Sequence, residues 1–128
     1  MPGLRIAPGA DSVAIAAALD AIEGRVRLSG VSDDVLDRVV LVAGEVLANV
    51  AEHGEQPVVV HWHGDTAGGC LSVVGDAGPG SDRIASAELP PADSFGGRGL
   101  FLIRALSERV VTEGDRLDLH FASREDVD

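Results

Sequence analysis

Residues 45–54 read Glu45-Val46-Leu47-Ala48-Asn49-Val50-Ala51-Glu52-His53-Gly54, and the reading of this stretch decides the fold. Glu45, Asn49 and His53 recur every four residues, so on a helix they share one face. Apolar residues occupy the opposite face and continue upstream as Val35, Leu36, Val39, Val40, Ala43, Val46, Leu47 and Val50. That is helical periodicity sustained over several turns. Ser32 supplies a hydroxyl cap, and Asp33 and Asp34 place acids in the first turn, where they favour the helix dipole. Gly54 is expected to end the helix. A polar stripe is ordinarily a solvated helix face. A mid-helix Asn nevertheless carries a small propensity cost and asks for a reason.

Working outward, Leu4-Arg5-Ile6-Ala7 alternates and predicts a first strand. Asp11 or Ser12 can cap a helix running to about Gly24, with Val13, Ala16, Ala17, Leu19 and Ile22 available for burial. Residues 25–31 read as a connector. Pro57 to His63 predicts a strand with Val58, Val60 and Trp62 on one face. Asp65 to Gly69 turns the chain, and Cys70 to Val74 predicts a second, mostly buried strand. Residues 75–99 are too rich in Gly and Pro for regular structure. Leu100 to Ser107 predicts a third helix. Val110 to Glu113 and Arg116 to Ala122 predict a hairpin across Gly114-Asp115. The order β-α-α-β-β-loop-α-β-β implies an α/β two-layer sandwich. Its sheet is mixed but mainly antiparallel, with helices on one face. No linker or repeat divides residues 1–128, so one domain is expected.

Two further pieces accompany the helix. Asp76-Ala77-Gly78-Pro79-Gly80 follows the buried strand directly. A carboxylate there can accept a hydrogen bond from an exocyclic amine, and the glycines permit close approach of a base. Gly96-Gly97-Arg98-Gly99-Leu100 leads into the third helix. Free N–H groups at a helix N-terminus suit a phosphate. Each piece alone is compatible with an ordinary turn or loop.

Taken in order, E-x-x-x-N-x-x-x-H-G, D-x-G-x-G and G-G-x-G-L resemble the N, G1 and G2 boxes of the GHKL ATPases (gyrase, chaperone, histidine kinase and MutL type). The stretch GGRGLFLIRALSERV, and the short interval between the glycine boxes, are most similar to the bacterial anti-sigma serine/threonine kinases. The resemblance implies a site for ATP and Mg²⁺. Within it Asn49 matches the magnesium-holding asparagine and Glu45 the general base. Asp76 matches the adenine-reading aspartate, Gly78 and Gly80 the first glycine box, and Gly97, Gly99 and Leu100 the second. Arg98 sits where it can meet the phosphates. His53 matches a pattern position without an evident role. Ser81 stands where many relatives carry an apolar residue, and residues 81–95 are Pro-, Ala- and acid-rich, a departure that bears on turnover more than on binding.

Composition narrows the alternatives. All ten basic residues are Arg, and there is no Lys. A Walker P-loop and the ordinary protein-kinase fold both need a lysine at the phosphates, and Schiff-base chemistry needs one as well. The single Cys70 excludes an intrachain disulfide and a cysteine-rich zinc cluster. The net charge of −11 disfavours direct nucleic-acid and membrane binding and suits a basic protein partner. No apolar run approaches a membrane span, and the first residues lack a signal-peptide pattern, so a cytoplasmic protein is expected. His61 and His63 share a strand face but lack a third ligand. Cys70 reads as packed and inert, and His120 as a face residue of the last strand.

The function expected from the resemblance is an ATP-dependent protein serine/threonine kinase and anti-sigma factor. It phosphorylates a STAS-type antagonist and sequesters a sigma factor, with a homodimer possible. The alternative expectation is a non-catalytic regulatory module of the same fold, its partner binding tuned by nucleotide.

Overall fold

The computed structural model describes residues 3–75 and 98–124. The elements are β1 (Leu4–Ile6), α1 (Ser12–Leu28), α2 (Asp33–His53), β2 (Val58–Asp65), β3 (Gly68–Gly75), α3 (Arg98–Leu106), β4 (Arg109–Glu113) and β5 (Arg116–Ala122). This is the predicted element order.

Helix α1 runs past its expected end. Asp11 caps it, its carboxylate accepting from the Ala14 N–H at 2.9 Å. Gly24 does not break it, because a glycine costs an interior helix only about 1 kcal/mol. The buried face continues from Ile22 to Val26, which more than offsets that cost. Residues 25–28, expected in a connector, are therefore helical. The buried set also shifts: Ile22 and Val26 are enclosed, whereas Val13 is 75% exposed and Ala16 and Ala17 face solvent.

Helix α2 follows its sequence closely. The Ser32 hydroxyl accepts from the Val35 N–H at 3.3 Å. Val35, Val39, Val42, Val46 and Val50 are buried along one face. The first turn also carries a titrating contact. Asp34 receives two hydrogen bonds from Arg38, at 2.7 and 3.3 Å. Those bonds, foremost, hold its carboxyl below the ordinary value of 3.8. A carboxylate with a lowered folded-state pKa contributes stability above the unfolded value and loses it as pH falls through the folded one. Stability should therefore decline on acidification below about pH 3.8. Asp34→Asn should flatten that limb, as followed by urea midpoints against pH.

The sheet has the order β1-β2-β3-β5-β4, and every described pairing is antiparallel. The expected mixed sheet is thus wholly antiparallel among the described residues. Strands β2 and β3 form an eight-residue ladder from Val58–Gly75 to Asp65–Gly68. Alternation sends Val58, Val60, Leu71, Val73, Leu117, Leu119 and Phe121 to the helix side. Half-buried Trp62 joins them, donating its indole N–H to Ser29 Oγ at 3.0 Å and tilting against Phe121. Helices α1 and α2 pack on each other, and α3 packs on α2. The result is the two-layer α/β sandwich. Among the described residues, no helix is long and apolar enough to cross a membrane.

Candidate functional site

Helix α2 carries the first part of the site. Glu45 and Asn49 are half-buried, flanking the apolar face that meets the core. Neither side chain has a hydrogen-bond or ion-pair partner among the described residues. His53 differs. It is exposed at the last turn, with Nε2 3.6 Å from Glu52 Oε2, so the expected three-residue stripe resolves into two half-buried members and one solvated one.

Strand β3 leads to the second part. Its last residue is Gly75, in the centre of the sheet at the end of the β2–β3 ladder. Gly75 has a φ of 116°, and a Cβ there would lie 2.9 Å from the Pro57 carbonyl oxygen. Its N–H donates to the Asp115 carbonyl at 2.9 Å. The end of β3 is therefore fixed from both sides, by the β2 entry and by the β4–β5 turn. Asp76 follows it directly in the chain. Asp76, Gly78, Gly80 and Gly97 themselves lie outside the described residues.

Helix α3 supplies the third part. It begins at Arg98, two residues earlier than expected, so Arg98, Gly99 and Leu100 form its first turn. This nine-residue helix packs against α2. The opposite end of α3 reveals a residue that sequence reasoning missed. Arg38 is 5% exposed within the apolar run of α2. Its guanidinium donates to Asp34, to the Leu106 carbonyl at 3.2 Å and to Glu108 at 3.1 Å. It donates to the Ala122 carbonyl as well. Arg124 also binds Glu108 and donates to the Ala105 carbonyl at 3.2 Å. The available signal was an arginine on an apolar helix face, four residues after an acid.

The remaining candidates stay structural. His61 and His63 are exposed on the open sheet face. Register places His63, Cys70 and His120 in one cross-strand row. Among the described residues, however, no group of three or more His, Cys, Asp and Glu is arranged to hold a metal ion. Burial pushes the Cys70 thiol above its ordinary value of 9.0, which suits an inert side chain. Beside it, Asp118 accepts from Ser72 at 2.6 Å and from Arg116 at 2.9 Å. Burial alone would raise the Asp118 carboxyl, but these donors hold it low.

Magnesium suits the donor set on α2. Asn49 offers a hard amide oxygen that no described neighbour engages. Magnesium commonly takes one or two protein ligands and fills the rest of its shell with phosphate oxygens and water.

No curated protein matches the chain. The sequence pattern of the histidine kinase-like ATPase domain matches residues 9–121, from the turn before α1 to the last buried residue of β5. With that match spanning α1 through β5 on a five-stranded antiparallel α/β sandwich, the chain belongs to the histidine kinase-like ATPase domain family.

Proposed function

We propose that the chain binds Mg-ATP between α2 and the glycine-rich stretches and transfers the γ-phosphoryl group to a Ser or Thr of a STAS-type antagonist. It also sequesters a sigma factor in competition with that antagonist, in the cytoplasm. The observation that carries the nucleotide reading is the pair of half-buried polar side chains, Glu45 and Asn49, that no described neighbour engages, on the helix against which α3 packs. The kinase and anti-sigma assignment draws on the resemblance of GGRGLFLIRALSERV and on the acidic net charge of −11, which favours a basic partner surface.

In this reading Asn49 holds the magnesium ion, which neutralises phosphate charge. Asp76 accepts from the adenine amine, and Arg98, Gly99 and Leu100 present backbone N–H groups to the phosphates. The acceptor hydroxyl oxygen bonds to the γ-phosphorus while the bond from that phosphorus to the β–γ bridging oxygen breaks. ADP leaves, and the hydroxyl proton passes to Glu45. Transition states of this kind are loose, so positioning and charge neutralisation do most of the work.

Titration calorimetry tests the site. ATP affinity should require magnesium and fall at least about tenfold in Asn49→Ala, the order of loss expected for one charge-assisted contact. Unchanged affinity with magnesium present removes Asn49 from the site.

A further inference from the structure

We propose that Arg38, Glu108 and Arg124 form a positioning clamp for α3, fixing the helix whose first turn meets the nucleotide phosphates; the inference rests on the function proposed above. The last carbonyls of any helix lack intrahelical partners. At the C-terminal end of α3, Ile103 accepts from the Ser107 hydroxyl at 2.6 Å, Ala105 from Arg124 and Leu106 from Arg38. Two guanidinium groups thus sit where the helix dipole favours cations. Glu108 joins them by accepting from both.

The base of the clamp decides what it positions. Arg38 stands on α2, the helix that also carries Glu45 and Asn49. The two halves of the proposed site are therefore indexed to one rigid element. A nine-residue helix is about 13 Å long, so a small tilt at its C-terminal end displaces its first turn. Ångström-scale misplacement is enough to weaken a phosphate contact.

Arg38 itself is too buried to be a clean probe, but the side chains of Glu108 and Arg124 are 38% and 43% exposed. They can be altered without opening the core. The experiment compares wild type, Arg124→Gln, Arg124→Lys and Glu108→Gln. It titrates each with ATP and with adenosine in the presence of magnesium, and records the backbone amide signal of Gly99 by NMR without nucleotide.

Arg124→Gln and Glu108→Gln should weaken ATP about fivefold, in the range by which a coupled distant residue acts. Adenosine affinity should hold within about twofold, because the base is read elsewhere. The Gly99 signal should move in both variants, and Arg124→Lys should restore most of both properties. Equal losses for ATP and adenosine overturn the positioning role, as does a Gly99 signal that stays in place. If wild type binds ATP and the variants match it, the clamp alone falls. If wild type binds no nucleotide, the site reading falls first and carries the clamp with it.

Discussion

Glu45→Ala should abolish phosphoryl transfer while leaving ATP affinity within a few fold. The acceptor hydroxyl must lose its proton, and a positioned base typically contributes about 10²–10⁴ in rate. Glu45 lies one helical turn before Asn49 and is half-buried. In the proposed reading it meets the attacking hydroxyl and not the nucleotide, so binding is spared. Single-turnover transfer of labelled phosphate to a STAS-type substrate measures the rate, and calorimetry measures the affinity. Glu45→Gln, which keeps the shape, should fail like Glu45→Ala. A Glu45→Ala protein that transfers at the wild-type rate removes the base assignment. A wild type that binds ATP and never transfers phosphate favours the regulatory module.

The largest expected effect on stability belongs to a residue outside the site. Gly68 opens β3, is buried and has a φ of 149°. A Cβ there would collide with the Phe121 carbonyl oxygen and approach the Ala122 Cα to 2.9 Å. Both are backbone atoms of β5, which cannot rotate aside as a side chain can. Gly68→Ala should therefore force β3 and β5 apart at the first pair of their ladder, Gly68 opposite Ala122. Backbone strain and lost pairing together should cost at least about 3 kcal/mol. In a domain of this size the melting temperature should drop by about 10 °C or more. Gly9→Ala makes a useful contrast, since its φ is also positive, at 78°, but among the described residues nothing beyond its own chain neighbours lies within 4 Å of the added Cβ. If both variants melt together, the collision at Gly68 is not what matters.

The sequence was most informative where one physical signal dominated. Helix α2 was legible because its cap, acidic first turn and apolar stripe all agree. The β2–β3 and β4–β5 hairpins were legible because short turns join alternating strands. The end of helix α1 is less legible, because Gly24 reads as a stop while the burial of Val26 carries the helix on. Strand order was not legible: insertion of β5 between β3 and β4 depends on long-range pairing. The site divides in the same way. Glu45 and Asn49 were readable from their spacing on one helix. Arg38 was not, because it meets Leu106 and Ala122, 68 and 84 residues away. Nothing in its local sequence names those partners.

Those same long separations order events in time. Ribosomes deliver α1, α2, β2 and β3 well before β5, yet β3 finds its second neighbour only in β5. Until Arg116–Ala122 emerge, one side of β3 has no strand to pair with, and Arg38 lacks its Ala122 acceptor. An arginine buried among valines with that acceptor missing is unfavourable, so the early chain gains little by closing the core around it. The domain is therefore built to stay open during synthesis and to close cooperatively when its last strand arrives. A nascent chain ending before β5 should be readily cut by protease, and one extended past Arg124 should resist.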